Sequence, residues 1–170
     1  MNILLISGSA SHNSGNFYLL KAIADSWEGQ HEVSVFQGLA DFPLFSPARL
    51  EEGTPIKLET LKQQIKAADL IVISTPEYSH NIPAVLKNLF EWCTASGEFA
   101  EKKVLAITLT PKEPRGEHAM RALLPTLKTL KAKVLAQLPL YKSEMEIKDQ
   151  VVILPKEIKE GLNTFLEIGN

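Results

Sequence analysis

The chain has 170 residues, 45% hydrophobic and 22% charged, with 18 basic against 20 acidic side chains and a net charge of -2. That length and composition support one well-buried core and exclude a disordered or fibrous chain. The near-neutral balance leaves no electrostatic footprint for nucleic acid or an anionic membrane.

The first element is a short apolar run, Ile3-Leu4-Leu5-Ile6, read as a buried strand. It is only a few residues long and lacks a basic flank, so it is not a signal peptide. Ten small or polar residues follow, SGSASHNSGN from Ser7 to Asn16, with four serines, two glycines and two asparagines. A helical face of Phe17, Leu20, Ala24 and Trp27, with Ile23 beside it, comes next, and Val33 to Phe36 forms a second strand. Gly38 to Pro55 carries three prolines and reads as a long surface connection.

Leu58, Leu61, Ile65 and Ala68 predict a second helix, leading into a third strand at Leu70-Ile71-Val72-Ile73. Ile82, Val85, Leu86, Leu89, Phe90 and Cys93 then give the cleanest helical periodicity in the chain. Cys93, the sole cysteine, lies on that stripe as a core or interface residue. It excludes an internal disulfide framework and a cysteine-built zinc site, and it fits a reducing cytoplasm. Strand four is Val104 to Ile107, and a weaker fifth covers Lys133 to Ala136. Between them, Met120, Leu123, Leu124, Leu127 and Leu130 share a helical face, and Ile158, Leu162, Phe165 and Leu166 predict a closing helix.

No stretch has the length of a membrane span. The strict alternation predicts an α/β fold, a doubly wound parallel sheet in a single domain over residues 1–170. The strand candidates are continuous rather than alternating, as strands covered on both faces are.

In such sheets ligands bind beyond the carboxyl ends of the strands, where strand order reverses. The loop after strand one opens a helix, with Ser14 or Asn13 as candidate N-cap. Helix N-terminal N–H groups and serine hydroxyls suit a phosphate. Neither G-x-G-x-x-G nor a Gly-Lys-Ser/Thr triplet is present, so the loop suits a mononucleotide phosphate rather than a dinucleotide. The loop after strand three, Thr75 to Trp92, brackets a rigid turn with Pro76 and Pro83. Tyr78 supplies a flat apolar face there, and Ser79, His80 and Asn81 supply polar edges. That mixture suits an aromatic heterocycle. His31 and His118 show no metal-ligand spacing.

Gly8-Ser9-Ala10-Ser11-His12-Asn13-Ser14-Gly15-Asn16 resembles the first-loop pattern G-S-x-R-x-x-S-x-N of the NADPH-dependent FMN reductase family. That family includes flavin-dependent quinone, azo-dye and chromate reductases. Pro76-Glu77-Tyr78-Ser79-His80-Asn81-Ile82-Pro83-Ala84-Val85-Leu86-Lys87-Asn88, closing with Glu91-Trp92, resembles its second pattern, P-E-Y-N-x-S-x-P-G-x-L-K-N-x-x-D-W. The resemblance implies a flavodoxin-like five-stranded sheet in the order 2-1-3-4-5 with FMN bound noncovalently. Ser9, Ser14 and Asn16 would hold the phosphate, with Ser11 and Gly15 in the same loop. Pro76, Glu77, Tyr78 and Ser79 would line the isoalloxazine, and Thr110 would touch its pyrimidine edge.

Ser11 stands where the family usually has arginine, and Pro111 to Glu117 is charged and proline-bearing where the family is glycine-rich. Lys112 and Arg115 are candidates to meet the 2′-phosphate of NADPH. The implied activity passes hydride from NADPH or NADH to FMN and on to flavin, quinone or a similar small-molecule acceptor. No general acid or base is obligatory, so no catalytic residue is assigned. A cytoplasmic homodimer or homotetramer is expected, with neither membrane nor nucleic acid as partner. The alternative is an FMN-binding electron carrier or flavin-binding module without nicotinamide turnover.

Overall fold

The computed structural model describes residues 1–169. Strands β1 (Asn2–Ser7), β2 (Glu32–Phe36), β3 (Leu70–Thr75), β4 (Lys103–Thr110) and β5 (Lys133–Tyr141) form one parallel sheet. Their order is β2-β1-β3-β4-β5, the flavodoxin-like arrangement expected. In register, Leu5 lies between Val35 and Val72, and Ile73 pairs with Ala106. Every position of β3 is buried, which is why it reads as an unbroken apolar run.

Helices cover both faces. On one, α1 (Gly15–Trp27) and α6 (Lys156–Gly169) pack Leu20, Ile23 and Leu162 against Ile3, Leu5 and Ile107. On the other, α3 (Ile56–Ala67), α4 (Ala84–Thr94) and α5 (Glu117–Thr129) pack Leu61, Leu86 and Leu123 against Leu4, Ile71 and Ile73. The inward stripe of α1 is Asn16, Leu19, Leu20, Ile23 and Trp27, while Phe17 and Ala24 are only half-buried. Asn16 thus begins the buried face, one turn ahead of Leu20.

Gly38 to Pro55 is not simply a surface connection. It holds a 3-10 turn at Leu39–Asp41 and the short helix α2 (Pro47–Glu52), and it buries Leu39 and Phe42. The Pro43 carbonyl accepts from Trp92 Nε1 (2.9 Å) and Asn88 Nδ2 (3.0 Å), and Asn88 Oδ1 accepts from the Phe45 amide (2.7 Å). Phe45 meets the Trp92 ring edge-on at 5.4 Å. Trp92 is therefore buried within its own chain. The apolar residues of this segment follow no period, so the prolines dominated the sequence pattern.

Two further strands, β6 (Glu146–Lys148) and β7 (Val151–Ile153), form an antiparallel hairpin that the sequence reading did not include. Three-residue strands are too short to show alternation. Their turn places Asp149 and Gln150 at φ 48° and 68° without a glycine to announce it. Val152 and Leu154 pack into the α1 and α6 side of the core. Among the described residues no helix is long and apolar enough to cross a membrane.

One ion pair is sealed. Lys62 lies on the inward stripe of α3 with Leu58, Leu61 and Ile65. Its ammonium is 3.4 Å from Glu98 Oε1, and the two residues are only 4% and 2% exposed. Glu98 also accepts from Ser96 Oγ (2.9 Å) and lies 3.8 Å from the Lys66 ammonium. Cys93 is fully buried in the core. Burial, and then the Glu98 charge, push its thiol well above the ordinary range, so it stays protonated.

Candidate functional site

The first loop is held close to β3. The Gly8 amide donates to the Ser74 carbonyl (2.8 Å). A Cβ on Gly8 would come within 2.9 Å of Leu86 Cδ2 and 3.2 Å of that carbonyl oxygen, so glycine permits the approach. Ser14, in extended backbone, is the N-cap of α1 and accepts from the Phe17 amide (3.1 Å). Ser9 Oγ accepts from the Ser11 amide (3.2 Å). Each hydroxyl serves as an acceptor in these bonds and keeps its own proton for another group.

Asn16, 3% exposed, accepts at Oδ1 from Ser74 Oγ (2.7 Å), and its side-chain N–H donors have no partner among the described residues. The main-chain N–H groups of Gly15 and Asn16 lie in the first helical turn, where no intrahelical acceptor exists. At the loop's tip, His12 Nε2 is 3.9 Å from Asp41 Oδ1. Lys57 pairs with Asp41 and holds its carboxyl below the usual carboxylate range, with a smaller effect from His12.

The second loop is a tight two-residue turn. Tyr78 and Asn81 exchange main-chain hydrogen bonds, both 2.9 Å, and Ser79 and His80 both adopt left-handed φ, 49° and 58°. Tyr78 is 53% exposed. Glu77 Oε2 accepts from the amides of Gly116 (3.1 Å) and Ala119 (3.0 Å) at the start of α5. That carboxylate is committed to the neighbouring helix end, whose dipole favours negative charge.

β4 continues through Thr110, which pairs with Tyr141, so Thr108 to Thr110 belong to the strand and the third loop begins at Pro111. Proline has no N–H to extend the ladder. Thr110 Oγ1 donates to the Arg115 carbonyl (2.8 Å). Gly116 has φ 105°, and a Cβ there would sit 2.8 Å from Thr108 Oγ1. The His80 and His118 rings meet with centroids 4.3 Å apart, a juxtaposition that spacing alone could not reveal.

The loops enclose a cleft of about 450 Å³. Ser9, Ser11, Ser14, Gly15 and Asn16 line it from the first loop, Pro76, Glu77 and Tyr78 from the second, and Thr110 with Arg115 from the third side. Ser79 and Lys112 are not among the lining residues. Lys142, just past β5, joins the cleft although no local signal in the sequence marked it. Among the described residues no group of three His, Cys, Asp or Glu is arranged to hold a metal.

Residues 1–143 match the family model for NADPH-dependent FMN reductase. The NADH:(hydroxy)cinnamate reductase subunit CrdA of Vibrio ruber is 34% identical over 108 residues, covering 63% of this chain and 52% of that protein. A quinone reductase of Escherichia coli (strain K12) is 33% identical over 93 residues, covering 54% and 50%. The chain thus spans about half the length of these curated relatives. Among solved structures, FerB, a flavoenzyme NAD(P)H:(acceptor) oxidoreductase from Paracoccus denitrificans, superposes with a TM-score of 0.76 at 21% identity. That match covers 98% of this chain and 93% of the other, and it speaks to fold alone. The family match across both cleft-forming loops shows that the chain belongs to the NADPH-dependent FMN reductase family.

Proposed function

We propose that the chain is an FMN-containing oxidoreductase that takes hydride from NADPH or NADH and passes it to a flavin, quinone or similar small acceptor. The observation that carries this reading is the unpaired donor set at the α1 end of the cleft. Asn16 offers amide N–H, Ser9 and Ser14 retain hydroxyl protons, and the main-chain amides of Gly15 and Asn16 are unbonded. A phosphomonoester presents three strong acceptor oxygens to such donors. The donor chemistry therefore fits FMN.

In this reading Ser9, Ser11, Ser14, Gly15 and Asn16 surround the phosphate. Pro76, Tyr78 and the main chain of Glu77 border the ring, with Thr110 toward its polar edge and Ser79 shaping the turn from outside. FMN, when bound, supplies the hydride-accepting and hydride-releasing chemistry. The chain's part is to hold the cofactor, seat the donor against it and place N–H groups near developing negative charge. No side chain is assigned as catalytic. Arg115, at the cleft, is the better placed of the third-loop cations to meet a donor's 2′-phosphate. A single cytoplasmic domain assembling as a homodimer or homotetramer completes the proposal.

The test is titration of the apoprotein with FMN and with riboflavin, followed by NAD(P)H oxidation with a quinone acceptor. FMN is expected to bind much more tightly, and turnover to require it. Equal affinities would remove the phosphate assignment. Tight FMN binding without nicotinamide oxidation would favour an electron carrier.

A further inference from the structure

The first loop contains no lysine or arginine between Ser7 and Asn16. A bound phosphomonoester carries nearly two negative charges at neutral pH. Its counter-charge has to come from elsewhere in the fold.

β5 ends at Tyr141, paired with Thr110 at the carboxyl edge of the sheet, and the chain turns there through a 3-10 segment, Lys142–Glu144. The Ser143 amide donates to the Pro111 carbonyl (3.1 Å), which ties this turn to the third loop. From that anchor Lys142 reaches back across the cleft to the first residue of α1. A Cβ built on Gly15 would lie 2.9 Å from Lys142 Cε and 3.1 Å from its Nζ. The ammonium therefore sits beside the helix N-terminus, the positive end of its dipole, where a cation is unfavourable on its own.

Among the described residues Lys142 joins none of the ion pairs, although Glu144 shares its turn. Alongside, the Asn16 side chain is almost wholly buried, lines the same cleft and keeps its amide donors unpartnered. A cation, a helix N-terminus and the unbonded amide of a largely buried residue all line one cleft. Only an anion satisfies the three together.

Resting on the FMN reading above, we propose that Lys142 is the charge partner of the cofactor's phosphate. It completes from the far end of the sheet a site whose own loop is neutral. FMN binding then also fastens the turn after β5 to the start of α1. A side chain at Gly15 would displace the ammonium, a shift that the flexible end of Lys142 can make.

The experiment is flavin-fluorescence titration of the purified full chain with FMN and riboflavin at low and moderate salt. The variants are Lys142→Gln, Lys142→Arg, Arg115→Gln and Ser11→Arg combined with Lys142→Gln. Because Lys142 is exposed, its contribution is discounted for solvent screening, and Lys142→Gln is expected to weaken FMN about three- to fivefold. Riboflavin affinity is expected to stay within about twofold and the salt dependence of FMN binding to flatten. Lys142→Arg is expected to keep wild-type affinity, and Ser11→Arg to restore much of what Lys142→Gln loses, by supplying the charge from the loop itself.

Unchanged FMN affinity in Lys142→Gln, equal losses for FMN and riboflavin, or a loss confined to Arg115→Gln would overturn the assignment while leaving the phosphate reading intact. A wild-type protein that fails to prefer FMN over riboflavin overturns both.

Discussion

Lys62 and Lys142 carry the same ammonium in opposite circumstances. Lys62 is sealed between α3 and the segment after α4, with Glu98 as its counter-charge and Ser96 and Lys66 completing the cluster. Lys142 stands at the cleft edge beside Gly15, with no carboxylate paired to it. A buried charge must be matched inside the chain, because leaving it alone costs several kcal/mol. A charge at a cleft can be left unmatched, since water serves until a ligand arrives. The side of the molecule that is internally balanced is thus scaffold, and the side with unmatched donors and cations is the proposed site.

The largest effect expected from this contrast is on stability. Glu98→Ala leaves the Lys62 ammonium buried and unpaired, and denaturant unfolding is expected to show a loss of about 3–5 kcal/mol. Lys142→Gln is expected to change stability by less than about 0.5 kcal/mol, as exposed substitutions usually do. Comparable losses in both variants would erase the distinction between scaffold and site.

Glu77 tests the border between the two. Its carboxylate receives the amides of Gly116 and Ala119 and so joins the second loop to α5. Glu77→Gln removes the charge while keeping an acceptor, with an expected cost of about 1–2 kcal/mol. Amide exchange at Gly116 and Ala119 should accelerate more than exchange in β3. Uniform acceleration would instead mark Glu77 as part of the scaffold.

A smaller effect, and of opposite sign, is expected at His80. Left-handed backbone disfavours a side chain by about 1–2 kcal/mol, and glycine's greater unfolded-state freedom offsets part of that. His80→Gly is expected to raise stability by about 0.5 kcal/mol, read as a higher unfolding midpoint. A lower midpoint would show that its ring contact with His118 outweighs the strain.

Cys93 gives the last reading, with no substitution at all. Buried and held protonated beside Glu98, it is expected to resist a thiol reagent until the chain unfolds. Rapid native-state labelling would mean that the sealed side opens freely.

Much of this molecule was legible in the residues because the deciding physics is local. Ile3 to Ile6 and Leu70 to Ile73 read as buried strands since a doubly covered strand needs an unbroken apolar run. Ser14 or Asn13 read as the cap because a helix start needs a nearby acceptor, the fold chose Ser14, and the first and second loops drew attention through composition. The hairpin at Glu146–Ile153 escaped because its strands are shorter than any period, and the Leu39 to Phe45 packing escaped because it follows none.

What the chain determined by itself was the order of strands and helices and the chemistry of the two cleft loops, both set by side chains close together along the backbone. What only the folded structure decided was which distant groups meet. Glu77 finds the end of α5, Lys62 finds Glu98, and Lys142 finds Gly15 across the carboxyl edge of the sheet. Each of those meetings depends on strand order and on where each loop crosses. No periodicity records them, because periodicity describes neighbours along one element and says nothing of neighbours through space.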